Sequence, residues 1–482
     1  WRANENGDQL MYPNTDWVES LFQNKISQNH NLSFTGGSEK IKFFGSYGLL
    51  DNPGIVEQAT YKRHTGRINL EADIKPWLTL GTNINGVVSK TMIGTNLIND
   101  VFLYAAASTP GMVLRAPDGR FGSPNNPEDD PQSNNILHRL YAQKGDINKN
   151  RFVSRFFAKL RPIKGLSIEG SYTYTYNDDF IYSQPVFNDR WNFLTNSVAT
   201  AGTGRSSVTN QSVKTYRYYM DGIAKYENTA ADSRLKYEVM VGASQEYLKD
   251  GWFAASKLDL IDPSLSVLNA ATMDASASGN TTDWAMRSFF GRLNLSWDDK
   301  YLLEANLRTD GSSRFMSGKS RWGTFPSASV GWKISSEDFY DVSWMPTLKL
   351  RASYGSLGNN GTVDDVFFYN GGINNYEYQT LYSSANYILN NQLFVGFAQT
   401  GLSNSLLTWE STNVLNLGLD FDLSNYKLSG SVDVFDKTTS DILVPRDDVP
   451  ELFGAGFPSY NAAKVRNRGW EILTYAQNID RQ

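Results

Sequence analysis

The chain has 482 residues, 40% of them hydrophobic and 20% charged, with a net charge of −5 and only three histidines. That balance argues against a nucleic-acid-binding surface, and zero cysteines remove disulfides, thiolate nucleophiles and zinc–cysteine sites. Mean hydropathy is −0.43, and no apolar run is long enough for a membrane helix. Aromatics nevertheless reach 13%, and glycine stands at 39 against 16 prolines. Low hydropathy with many rings and glycines is the composition of a transmembrane β-barrel, whose strands alternate apolar and polar residues and average to neutral.

Period-2 alternation runs from one end of the chain to the other. Strands are expected near 29–36, 41–48, 60–74, 77–89, 150–161, 165–177, 212–227 and 233–248. Others follow near 286–297, 300–310, 324–335, 346–356, 408–424, 426–441 and 465–478, about fifteen in all. In the third, Ile68, Leu70, Ala72 and Ile74 share one face, and Arg67, Asn69, Glu71 and Asp73 the other. In the thirteenth, Leu415, Leu417, Leu419 and Phe421 oppose Asn416, Gly418, Asp420 and Asp422. Many of these strands exceed the usual globular length of about 5–6 residues and suit the 9–11 or so that a tilted strand needs to cross a bilayer. Leu80, Leu417 and Leu419 sit centrally on apolar faces and are expected to meet lipid.

Connections alternate between short and long. Short links are expected at Gly36–Glu39, Lys75–Pro76, Pro162–Lys164, Asn228–Asp232, Asp298–Asp299, Glu337–Met345 and Asn425. The links between them, 50–59, 90–149, 178–211, 249–285, 311–323, 357–407 and 442–464, are mostly longer. This is the sidedness of an outer-membrane barrel, with short periplasmic turns and long extracellular loops. Trp77, Trp297, Tyr301, Trp332, Trp344 and Tyr426 lie near the short-turn ends, where an interfacial girdle would sit.

Several segments resemble the SusC-like (RagA/SusC) branch of the TonB-dependent transporters of Bacteroidota outer membranes. They are Tyr12-Pro-Asn-Thr-Asp-Trp17, Asn29 to Gly37, Leu307-Arg-Thr-Asp-Gly-Ser-Ser-Arg-Phe315, Arg321 to Trp332, Leu348 to Gly355 with Gly358-Asn359, Trp409-Glu410, Asn416-Leu-Gly-Leu-Asp420 and Asn467-Arg-Gly-Trp-Glu471. Thr109-Pro110 to Gly122 is similar to the family's long early extracellular loop. The resemblance implies an all-β, antiparallel transmembrane barrel of the 22-stranded type. Residues 1–28 would be an extracellular segment leading into the barrel, and 29–482 a partial barrel with long loops at 90–149, 178–211, 249–285, 357–407 and 442–464. No segment resembles the family's plug domain or TonB box, so the chain reads as a barrel fragment lacking the plug and carboxy-terminal strands. On that reading the strands near 29–36 and 464–477 are not expected to pair with each other, because roughly fifteen strands cannot close an antiparallel barrel.

Catalytic constellations are not apparent: the histidines at 30, 64 and 138 adjoin no nucleophile elbow, and Gly355 to Gly361 has the wrong spacing for a dinucleotide fingerprint. The chain is expected not to be an enzyme and to carry no cofactor. The run Asn125 to Asp130 has oxygens that Ca²⁺ could use but no EF-hand spacing, so no metal site is assigned. Loop aromatics Tyr182, Trp191, Trp252, Phe367, Tyr369, Tyr376 and Tyr378 are the candidate substrate-binding residues, since rings stack on sugars or hold peptide side chains. About half of the loop aromatics should instead pack loops together. Arg67, Glu71, Asp73, Arg155, Glu304, Arg308, Asp310, Arg351 and Asp420 are the candidate lumen- or plug-facing residues, because a hydrated lumen spares them the desolvation that lipid would impose.

By resemblance, the function is active nutrient import across the outer membrane. A SusD-like surface lipoprotein would cap the loops and help capture an oligosaccharide or oligopeptide. TonB would act through the missing amino-terminal region, and the pairs could assemble as dimers. Loops 90–149, 178–211 and 357–407 are expected to form the docking face for that lid. Two other readings stay open: a passive porin-type channel, and a soluble glycan-binding or adhesin β protein.

Overall fold

The computed structural model describes residues 8–92, 98–126, 135–230, 232–361, 373–423, 428–446 and 456–476. Its dominant feature is a single 15-stranded sheet in which every strand pairs with its neighbours in chain order, all antiparallel. We number these strands β1 Gln28–Gly37, β2 Ile41–Asn52, β3 Tyr61–Lys75, β4 Leu78–Met92, β5 Gln143–Ile163, β6 Leu166–Pro185, β7 Ser207–Ala230 and β8 Leu235–Leu260. They continue as β9 Ala271–Trp297, β10 Tyr301–Ser312, β11 Trp322–Lys333, β12 Thr347–Asn359, β13 Glu410–Leu423, β14 Leu428–Val444 and β15 Tyr460–Ala476. Each of the fifteen expected strands has its counterpart. Among the described residues the outermost strands, β1 and β15, are not paired with one another.

Register decides the chemistry of each face. Because side chains alternate, one antiparallel register puts like beside like across every ladder. Between β3 and β4, Ala72 pairs with Leu80 and Ile68 with Ile84, while Asn69 pairs with Asn83. Between β12 and β13, Leu350 meets Leu419 and Ala352 meets Leu417, while Lys349 meets Asp420. β14 and β15 extend the apolar face with Val434 opposite Trp470 and Val432 opposite Ile472. The result is one continuous apolar face and one continuous polar face. Large apolar side chains stand exposed along the first, Leu80 at 43% and Leu417 at 53% among them, with Leu419 half-exposed. A water-soluble protein would not leave so long an apolar stripe uncovered.

At the short-connection edge, Trp77, Trp297, Tyr301 and Trp344 are exposed. Tyr301 and Trp332 stack with their planes 12° apart, and the Arg234 guanidinium lies over Trp297 at 5.0 Å. The sixth expected girdle residue, Tyr426, and the Asn425 turn lie outside the described residues.

At the other edge the strands outrun the sequence-derived limits. β8 continues to Leu260 and β9 begins at Ala271, so most of 249–285, expected as a loop, is hairpin. β5, β6, β7, β14 and β15 likewise reach into the stretches expected as loops 90–149, 178–211 and 442–464. The physical reason is that beyond the bilayer neither face needs to be apolar. Thr272 to Thr281 contains small and polar residues on both faces, so the ladder persists where the alternation stops.

An arginine placed centrally on the apolar face is expected to cost about 2–4 kcal/mol if that face lies in lipid. Leu417→Arg should show this loss in reversible unfolding from liposomes, whereas Asn416→Arg, one residue along on the polar face, should not.

Candidate functional site

The polar face is a wall of paired charges. Lys159 Nζ lies 3.4 Å from Glu71, and Arg155 donates to Glu169 at 2.8 Å. Thr79 donates to Asp73. Arg67 donates to Asn69 at 3.3 Å and lies over Phe44. Further round the sheet, Glu304 accepts from Asn306 at 2.8 Å and Arg308 forms a close pair with Asp310. Arg351 bridges two strands, donating to Asp420 at 3.0 Å and to Asp433 at 2.6 Å. All nine residues expected on the polar side share this face.

Arg217, Lys225, Glu246, Arg292 and Asp433 were not singled out from the sequence. Arg217 pairs with the buried Glu246, Arg292 and Lys225 both reach Glu238, and Asp433 completes the Arg351 cluster. Their signal was available in the same alternation, as in Val432-Asp433-Val434. Near the short connections, Lys236, Glu238, Asn294, Glu304, Lys349 and Arg351 line a hollow of about 1180 Å³. The Arg351 pairs are only one-third exposed, so solvent screens them less than it would a surface pair.

The long-connection edge is organised by two knots, and each joins motifs far apart in sequence. In the first, α1 (Trp17–Leu21) is capped by Asp16, whose side chain accepts from Glu19 N. Trp17 and Leu21 pack with Val101 and Ala105 of α2 (Ile98–Ala107) and with Ile136 and Leu140 of α3 (Ile136–Leu140). Thr15 N donates to Pro110 O and Trp17 Nε1 to Thr109 O, so Tyr12–Trp17 and Thr109-Pro110 form one unit. Glu57 ties it down, accepting from Gln23, Arg115 and Tyr141. The segment before β1 is therefore folded into the first long connection.

In the second knot, Trp409 Nε1 donates to Arg321 O and its ring meets Phe315 and Phe325 at 5.5 and 5.6 Å. Glu410 accepts from Leu443 N and Asn359. A Cβ at Gly358 would stand 1.9 Å from the Phe325 ring, so a larger residue there would force that ring to move against Trp409.

These knots decide the fate of the loop aromatics. Tyr182 donates to Gln184 and packs against the small core around Val208 and Leu260, holding strand tips together. Trp191 lies beneath Arg120 at 4.4 Å and packs with Val113 and Ala116. Tyr376 donates to Asp283 and fixes the connection between β12 and β13 to β9. The Tyr378 hydroxyl accepts from Gln379, and its ring is half-exposed. Trp252, opposite Asn280, is 40% exposed. Phe367 and Tyr369 lie outside the described residues. The five candidates among the described residues thus do not converge on one aromatic site; three of them serve as loop packing. Asn125, considered for Ca²⁺, spends its amide on Leu10 O and Met11 O and its oxygen on Phe193 N, while 127–130 lie outside the described residues.

Comparison with known proteins bears on this geometry. The family model described as "TonB dependent receptor-like, beta-barrel" matches residues 111–479. The chain belongs to the TonB-dependent receptor family and supplies strands of its β-barrel. It is 30% identical over 480 residues to TonB-dependent receptor P39 of Formosa agariphila, covering 96% of this chain and 42% of that protein. It is also 27% identical over 498 residues to TonB-dependent receptor SusC of Bacteroides thetaiotaomicron, covering 97% of this chain and 46% of that protein. The chain therefore spans less than half the length of these relatives. Among solved structures, the RagAB peptide importer in its closed-closed state matches with a TM-score of 0.80 at 20% identity, over 98% of this chain and 51% of that one. That likeness concerns the fold.

One titration follows from the first knot. His138 is half-buried beside Phe121, with Nε2 2.9 Å from Asn188 O. Burial pushes its imidazole below the usual histidine range, and the charge of Arg190 acts in the same direction. A base depressed in this way contributes stability that is present above its unfolded pKa, about 6.5, and is lost as pH falls below it. Amide protection over 136–141, corrected for intrinsic exchange, should therefore drop between about pH 7.5 and 5.5. His138→Asn should remove most of that pH dependence.

Proposed function

We propose that the protein containing this chain imports nutrients across the outer membrane as the SusC-like half of a two-component transporter. The observation that carries this reading is the two-faced sheet, lipid-compatible on one side and densely charged on the other, with folded loops along one edge. On this reading the apolar face lies in outer-membrane lipid. Arg67, Glu71, Asp73, Arg155, Glu304, Arg308, Asp310, Arg351 and Asp420 line a hydrated lumen and hold a plug through ion pairs and hydrogen bonds. TonB supplies the energy that releases it. The cargo is an oligosaccharide or an oligopeptide; the structurally similar RagAB, a peptide importer, supports the second.

A SusD-like lipoprotein forms the lid. Support comes from the long connection between β12 and β13, where Tyr382–Leu389 and Gln392–Gln399 form a separate two-stranded hairpin turning at Asn390 and Asn391. Its Ile388, Val395 and Phe397 are 73%, 72% and 82% exposed. A lone hairpin is marginal in water, and this one has no charged residue from Tyr378 to Trp409. Such a surface fits the charge-poor core of a lasting protein interface.

The test uses the full-length protein in its native membrane with its neighbouring lipoprotein. Mild detergent should yield the two together, and deletion of 382–399 should lose the lipoprotein while the barrel still assembles. TonB-dependent uptake should stop with it. Unchanged uptake without TonB would instead fit a passive channel.

A further inference from the structure

β9 is much longer than the neighbour that follows it. It pairs with β8 from Ala271 to Trp297, but with β10 only from Met286 onward. Among the described residues, one edge of β9 above Met286 therefore has no strand beside it, and Thr272 to Thr281 are all exposed.

The direction of its backbone groups follows from the last bonds made on that side. Ser313 N donates to Ala285 O and Ala285 N donates to Ser313 Oγ. Asp283 N donates to the Tyr376 hydroxyl. In an antiparallel ladder alternate residues turn both N–H and C=O to the same side. Residues 277, 279 and 281 thus face the open edge, in register with Ala255, Phe253 and Gly251 of β8. The Thr281 N–H is turned to the Asn280 side chain. The N–H groups of Ala277 and Gly279, and the carbonyls of all three, have no backbone partner among the described residues.

We propose that this edge binds a short, extended peptide by strand addition, which assigns the cargo to oligopeptides and rests on the import reading above. Donors and acceptors repeating every second residue match another extended backbone, and a glycan has no such ladder of amides. The slot is bounded. Below, the Tyr376 hydroxyl occupies Asp283 N; above, the ladder is broken by a register shift, Asp274 has φ +44°, and Arg205 ties Asp274 to Asp259. Between Ala277 and Thr281 the edge runs roughly 14 Å, the span of about five residues, which suits a short ligand better than a partner's long strand. The edge also lacks the usual guards against strand addition: no proline or charge occurs from Ala275 to Thr282. With small side chains there, recognition falls on the ligand's backbone and tolerates varied sequences.

Hydrogen exchange over 275–282 in the full-length protein tests this, with tryptic casein peptides as one probe and maltohexaose as the other. Casein peptides should slow exchange about ten-fold, and maltohexaose should not. Ala277→Pro removes an edge N–H that β8 does not use and should abolish the protection; Ala277→Ser should keep it. Equal protection in wild type and Ala277→Pro, no protection by peptides, or protection produced only by adding the lipoprotein would each overturn the proposal. TonB-dependent uptake by the same wild-type preparation would show that the import reading survives such a result.

Discussion

Backbone hydrogen bonding in lipid is the constraint on which this structure depends. An unpaired N–H or C=O in the bilayer core costs several kcal/mol, so each strand must be flanked along its membrane-crossing length. Pairing strands in chain order meets that demand with the shortest connections, and the sheet here does so without a crossover. Once register is fixed, alternation makes one face predominantly apolar and leaves the other free to be polar. The long connections lie beyond the zone where the demand holds, and there the chain builds helices, hairpins and, among the described residues, an unflanked strand edge.

The charges of the polar face follow from the same division. Arg351 with Asp420 and Asp433, or Glu238 with Arg292 and Lys225, would each carry a large desolvation cost on the lipid side. On the polar face they remain hydrated in part and satisfy one another. At the loop edge, fixed geometry comes from small apolar cores instead. Trp17 and Trp409 each close one by donating an indole N–H to a backbone carbonyl far away in sequence.

Much of this is legible in the sequence. Alternation such as Ile68, Leu70, Ala72 against Arg67, Asn69, Glu71 placed all fifteen strands, since lipid enforces the pattern. It also placed the polar wall, down to Arg351 and Asp420. It could not mark where β8 and β9 stop, because above the bilayer Ala275 to Thr281 need no apolar face. Nor could residue type separate Tyr182, which bonds Gln184 in a packed strand tip, from Trp252, whose ring is open. Both are aromatic residues in expected loops; only tertiary contacts tell packing from availability.

The most direct measurement is the accessibility of nitroxide labels placed one at a time along β13 in the full-length protein in liposomes. Labels at 415, 417 and 419 should collide with dissolved oxygen from the lipid, and those at 416, 418 and 420 with a water-soluble nickel chelate. Accessibility that fails to alternate, or that reports water on both faces, would contradict a membrane-embedded wall with a hydrated inner side.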